Sequence, residues 1–221
     1  MLVIFDLDGT LIDSHDVMCL AFAAAYASEV GEGDAPLEGL LARQGVPLRT
    51  ILQELDLPLS MLPVFARVSI ANSGLIMVWD GVRELLDQLT QAGVVMAIAT
   101  GKEGGRARLV LQELGLLHHF KLVIGGDEIE RGKPAPDVVL KIQDRLGFST
   151  ESTVVVGDAR ADIDSAKAAG VRAIVASWNP RACAVEDHSF CASASAPADV
   201  ARLVQDMAEA SLFDSGGLLR G

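Results

Sequence analysis

Apolar residues fall along this chain in short unbroken runs and in helical stripes, and the two kinds alternate. Runs of strand length occupy Leu2–Phe5, Val94–Ala99, Lys121–Ile124, Thr153–Val156 and Arg172–Ala176, and they are rich in β-branched residues. The segments between them carry apolar residues at three- and four-residue spacing. Val82, Leu85, Leu86 and Leu89 share one face of a helix predicted over Gly81–Ala92. Leu109, Val110 and Leu114 mark another over Arg106–Leu114, ended by Gly115. Asp137–Leu146 closed by Gly147, and Asp162–Ala169 closed by Gly170, repeat the pattern. Strands alternating with helices predict an α/β fold with a doubly wound parallel sheet, right-handed crossovers and helices on both faces.

One interval breaks the alternation. Between Ser14 and about Trp79 the pattern shows no strand; Val17–Ala27, Leu48–Leu55 and Leu59–Ile70 read as helices, separated by Gly31-Glu-Gly33, Gly45 and Pro58. A crossover needs far fewer residues, so the interval predicts a helical insertion that leaves the sheet after the first strand and returns near Trp79-Asp80-Gly81. The expected organisation is an α/β core over 1–14 and 79–212 with a helical cap over 15–78. A cap so placed can close over a site at the first strand's end and exclude water. Further on, Ala/Ser-rich Cys191–Ala198 reads as a loop, Asp199–Ala210 as a last helix, and 213–221 as a flexible tail.

Composition narrows the partners. The chain has 221 residues, half of them hydrophobic, which suffices for a sizeable core. No apolar run approaches the roughly 20 residues that span a bilayer, and Asp6 interrupts the N-terminal apolar stretch too early for a signal sequence. The expectation is a cytoplasmic protein, a monomer or homodimer. A net charge of −12 argues against nucleic acid and anionic membranes as partners. An anionic substrate then requires cations gathered locally. Cys19, Cys183 and Cys191 form no CxxC pair, and Cys183, His188 and Cys191 match no common zinc spacing.

The chemistry sits at the strand ends, where ligands bind in doubly wound sheets. Asp6 and Asp8 follow the first run, and in extended chain they project to the same side. Two acids held so close repel unless a cation or shared proton intervenes. Thr100-Gly101-Lys102 follows the second run, and such a turn can present a hydroxyl and backbone N–H groups to an anion. Lys133-Pro134 lies beyond the third, and Gly157-Asp158 with Asp162 ends the fourth. Acids, a hydroxyl and a lysine converging on one edge suit phosphoryl transfer. A hard cation such as Mg²⁺ would sit between Asp6 and Asp158, with Thr100 and Lys133 on the other phosphoryl oxygens.

Asp6-Leu-Asp-Gly-Thr-Leu-Ile-Asp-Ser14, Thr100, Lys133-Pro134 and Gly157-Asp158 with Asp162, taken in this order, resemble the four motifs of the haloacid dehalogenase superfamily. The resemblance implies a Rossmann-like core with an inserted cap, of the branch that includes phosphoglycolate phosphatases and β-phosphoglucomutases. It implies that Asp6 is the nucleophile forming an aspartyl-phosphate and that Asp8 is the general acid, then base. The phosphoryl group would be bound by Thr100, Gly101 and Lys133. Mg²⁺ would be held by Asp6, Asp158 and the backbone carbonyl of Asp8, with Asp162 a ligand or a partner of the ligands.

Within that family Asp8 argues against dehalogenation, because family dehalogenases lack the second aspartate and a phosphatase must protonate its leaving group. Thr10 and the Gly157-Asp158 pair look like the phosphatase pattern, and a small phosphorylated metabolite is the expected substrate. The alternatives are a phosphosugar mutase and a non-catalytic metabolite-binding protein on the same scaffold. Gly101 stands where phosphoglycolate phosphatases commonly carry asparagine, and Asp80 where they carry proline, which leaves sugar phosphates open. Arg43 and Arg49, flanking Gly45-Val-Pro47, and Lys102 are the candidates for substrate specificity; an arginine can grip a carboxylate or phosphate with two parallel hydrogen bonds. Trp178 and His15 fit packing and surface roles better than substrate contact.

Overall fold

The structure, a computed structural model, describes residues 1–184 and 190–215. The chain opens with β1 (Leu2–Phe5), then β2 (Ile12–Asp13), and runs through four helices, α1 (His15–Glu29), α2 (Leu37–Leu41), α3 (Leu48–Glu54) and α4 (Met61–Ala71). It returns through β3 (Met77–Val78) and α5 (Val82–Gln91) to β4 (Val95–Ala99), α6 (Gly104–Glu113), β5 (Leu122–Ile124) and α7 (Asp137–Leu146). The last part holds β6 (Thr153–Gly157), α8 (Arg160–Ala168), β7 (Arg172–Ala176), β8 (Cys191–Ala194) and α9 (Pro197–Ser215). Six strands form one parallel sheet in the order β5-β4-β1-β6-β7-β8.

β1 is central, and all four of its residues are fully buried. Its register places Leu2–Phe5 against Val95–Ile98 on one side and Thr153–Val156 on the other. Alternation along the strand sends Val3 and Phe5 into the layer packed by α5, α6 and α9, and Leu2 and Ile4 into the layer packed by α7 and α8. A strand covered on both faces has no polar position to spare, so it reads as an unbroken apolar run. The inserted helices have a core of their own, centred on Phe22, Leu40, Leu52, Met61 and Phe65.

Three expectations are corrected. The insertion does contain a strand: β3 pairs antiparallel with β2, Ile12 opposite Val78 and Asp13 opposite Met77. This two-residue ribbon, too short for any period to show, pins both stems of the insertion side by side. Cys191–Ala194 is a sixth strand and not a loop; it lies parallel to β7 at the sheet edge. Its Cys-Ala-Ser-Ala composition carries none of the β-branched bulk that marks the other strands. The last helix continues to Ser215, into the stretch expected to be a flexible tail, and 216–221 lie outside the described residues. The insertion also holds a fourth helix, α2, whose five residues are too few for a stripe. No helix among the described residues is long and apolar enough to cross a membrane.

Candidate active site

β1, β4 and β6 lie in adjacent positions, and each hands over to a polar residue at the same edge. The ladder holds these residues directly: Asp6 N–H donates to Val156 O at 2.8 Å and Thr100 N–H to Ile124 O at 3.1 Å. Asp6, Thr100 and Asp158 are buried although polar, so each needs partners.

Lys133 supplies several of them. Its Nζ donates to Asp6 Oδ1 at 2.7 Å, to Ala99 O at 2.9 Å and to Asp162 Oδ1 at 2.5 Å. Burial works against the lysine's charge, but Asp162 and Asp6 outweigh it and raise its pKa. Asp158 accepts from Thr10 Oγ1 and from Asn179 Nδ2, both at 2.8 Å. Burial and the neighbouring Asp162 push Asp158 up to about 7. Asp6 is raised well above its ordinary value by burial and Asp162, with Lys133 opposing. One oxygen from each of Asp6, Asp158 and Asp162 lies within 4.8 Å of the others. Three buried carboxylates face one ammonium, so the cluster retains an excess of negative charge and offers only hard oxygen donors. It is suited to a metal ion.

Asp8 is turned out of that cluster. Gly9 has φ of +87°, and a Cβ there would lie 2.2 Å from Asp158 Oδ2, so the turn after Asp8 requires glycine. Asp8 Oδ1 accepts from Ser14 Oγ at 2.5 Å and pairs with Lys102 Nζ at 3.0 Å. Burial alone would raise Asp8, but Lys102 and Ser14 outweigh it and hold the carboxyl below its ordinary value. The two aspartates of one motif are thus driven in opposite directions.

A cavity of about 430 Å³ opens above them, roofed by the inserted helices. The loop Gly45-Val-Pro47 seats directly on core glycines. A Cβ on Gly101 would lie 2.7 Å from Gly45 O and 2.8 Å from Val46 O, and one on Gly132 only 2.4 Å from Pro47 Cγ. Arg49 is exposed at the cavity wall. Arg43 is engaged by Glu54 Oε2 at 2.7 Å and Gly39 O at 3.0 Å. Trp178 packs structurally, its Nε1 donating to Thr10 O at 3.1 Å. His15 lines the cavity, and its Nδ1 is buried without a hydrogen-bond partner among the described residues. His188, considered beside Cys183 and Cys191, lies outside the described residues.

Residues 3–176 match the family model of the haloacid dehalogenase-like hydrolases. The chain belongs to this family. Phosphoglycolate phosphatase from Pseudomonas syringae pv. tomato is 34% identical over 189 residues, covering 80% of this chain and 69% of its own. Phosphoglycolate phosphatase from Xanthomonas campestris pv. campestris strain 8004 is 37% identical over 186 residues, covering 81% and 84%. A hydrolase from Pseudomonas syringae has the same fold, with a TM-score of 0.79 at 22% identity, covering 93% and 98%.

The span shared with the haloacid dehalogenase-like hydrolases includes Asp6, Asp8, Thr100, Lys133, Asp158 and Asp162. Asn179, which orients Asp158, lies three residues past it, at the end of β7. The strand-end argument extends to this asparagine, the first amide after the fifth apolar run. Thr10 and Ser14, inside the first motif, find their partners only in the fold: Asp158 and Asp8.

Proposed function

We propose that this chain is a phosphoric monoester hydrolase that acts on small phosphorylated metabolites through an aspartyl-phosphate on Asp6. The observation that carries the reading is the pair of opposed environments in one turn. Asp6 belongs to the metal-suited cluster, and Asp8 stands two residues on, outside it and beside Lys102. In this mechanism an Asp6 oxygen attacks phosphorus as the ester P–O bond breaks, and Asp8 gives its proton to the departing alcohol oxygen. Water then attacks the phosphorus of the mixed anhydride, Asp8 takes a proton from it, and inorganic phosphate and free Asp6 result. Thr100 Oγ1 accepts from Lys102 N–H at 3.2 Å, which leaves its own O–H to donate to a phosphoryl oxygen.

Lys102 favours ionised Asp8. A phosphate dianion beside Lys102 competes for its ammonium, and burial then favours the protonated Asp8 that an alcohol leaving group needs. Asp6 and Asp158, with Asp162 beside them, would hold Mg²⁺, which when bound neutralises phosphoryl charge. The curated relatives are named phosphoglycolate phosphatases. Their names support hydrolysis over transfer between sugar positions and make phosphoglycolate the first ester to assay. Among the described residues Cys19, Cys183 and Cys191 form no disulfide, which suits a reducing cytoplasm.

The test is Asp6→Asn, assayed with Mg²⁺ on phosphoglycolate and 4-nitrophenyl phosphate. Turnover falls by at least about a thousandfold and the acid-quenched phosphoprotein disappears, while circular dichroism stays that of the folded protein. A well-folded Asp6→Asn with near-normal turnover sinks the mechanism.

A further inference from the structure

Arg106 enters the cavity from an element that gives no sign of it in the sequence. It lies on α6, and its guanidinium crosses to the inserted helices, with Cζ 5.3 Å from the ring centroid of Phe65 on α4. The side chain is 13% exposed, yet among the described residues its guanidinium makes no hydrogen bond. The nearest carboxylate oxygen, on half-exposed Glu103, is 3.9 Å away. A guanidinium has five N–H donors, and none of those on Arg106 is both buried and unpartnered, so they are open to the cavity. Burial lowers its pKa, with Asp8 and Glu103 opposing. These donors face the cavity that also holds Asp8, Thr100 and Lys102.

The other cavity cations are committed or peripheral. Lys102 is held by Asp8, Arg43 by Glu54 and Arg181 by Asp13, whereas Arg49 is exposed; Lys133, which does not line the cavity, is held by Asp6 and Asp162. Leu109 and Val110 of α6 and Leu62 and Phe65 of α4 line the cavity with Arg106, as do the acids Glu103 and Glu113 at the two ends of α6. A fork of unused donors flanked by Phe65, Leu109 and Val110, in the cavity that holds Asp8, is a receptor for an anion on a short carbon chain.

We propose that Arg106 determines specificity by binding a second anionic group, a carboxylate or a second phosphate, carried by the alcohol half of the ester. The inference rests on the phosphatase reading above. Phe65 orients the guanidinium through its ring face, and the carbon chain of the alcohol lies along Leu109 and Val110.

Three esters of matched length test it: 3-phosphonooxypropanoate, propane-1,3-diyl bisphosphate and propyl phosphate. The wild-type protein turns over one of the two anionic esters with kcat/KM at least about tenfold above propyl phosphate, and which one tells carboxylate from phosphate. Arg106→Met brings that ratio to about one, and Arg106→Lys, which keeps charge without the fork, falls between. A wild-type ratio near one, or a ratio unchanged in Arg106→Met, overturns the proposal. Calorimetric binding of 3-phosphonopropanoate against propylphosphonate reads the same ratio without turnover. If no ester is hydrolysed but this binding ratio collapses in Arg106→Met, the hydrolysis reading falls and the anion site stands.

Discussion

Asp6 and Asp8 are chemically identical side chains two positions apart, and their surroundings drive their carboxyls in opposite directions. Asp6 is crowded by burial and Asp162 within the metal-suited cluster, whereas Asp8 is held ionised by Lys102 and Ser14. If Asp8 moves the proton of the leaving group, its importance depends on how badly that group needs one. Asp8→Asn therefore slows aspartyl-phosphate formation from an alkyl phosphate by about 10²–10⁴-fold. From 4-nitrophenyl phosphate, whose phenolate departs unprotonated, the loss in that step is much smaller. Breakdown of the intermediate slows alike for both, since the same water must lose a proton. Rapid-quench kinetics separate the steps; equal losses on both esters in the first step would remove Asp8 from the acid role. At this scale the sequence was legible wherever chemistry followed a strand end, as with Asp6, Thr100, Asp158 and, by extension, Asn179. Arg106 was not legible, because a guanidinium on a helix is ordinary until tertiary packing shows what it lacks.

The elements that carry the site were legible in proportion to their apolar bulk. β1 and β4 to β7 announce themselves as buried runs, while β8 is built of Cys, Ala and Ser and could be read only from its pairing with β7. The β2–β3 ribbon is two residues wide, and what it does is joint the insertion to the core. The meeting of cap and core was equally hidden, since nothing in Gly101 alone says that Gly45 and Val46 rest on it. That contact makes a prediction. Gly101→Ala puts a Cβ against two backbone carbonyls that cannot rotate aside, so the 45–47 loop must lift while the sheet stays intact. kcat/KM falls by between about ten- and a hundredfold, the cost of a roof displaced by a fraction of its contact distance. Amide hydrogen exchange of residues 45–47 accelerates without a matching change in β1. Unchanged exchange with unchanged kinetics would mean that this seat does not hold the cap.

Over the whole molecule a charge of −12 surrounds a site built for an anion, and the resolution lies in what the carboxylates do before and after a cation arrives. Asp158 titrates at about 7 against an ordinary 3.8. A carboxyl whose folded pKa lies above its unfolded value keeps its proton in the native state after the unfolded chain has lost it. Between those values the native state binds more protons, so stability falls as pH climbs from 3.8 to about 7. Asp6, raised for the same reasons, adds in the same direction. The metal-free protein is therefore less stable at pH 7 than at pH 5, and Mg²⁺ narrows the gap by replacing protons that are lost. At a hundredfold excess over its Kd, Mg²⁺ contributes about 2.7 kcal/mol, a rise in Tm of roughly 5–10 °C for a chain of this size. At pH 5 the rise is smaller, because protons on Asp158 and Asp6 compete with the metal. Scanning calorimetry in EDTA and in Mg²⁺ at both pH values checks each sign. Asp158→Asn supplies the control: it flattens the pH dependence in EDTA, since one displaced carboxyl is gone, and shrinks the Mg²⁺ response. A metal response of equal size at both pH values, or one that survives intact in Asp158→Asn, would place the cation outside the Asp6, Asp158 and Asp162 cluster.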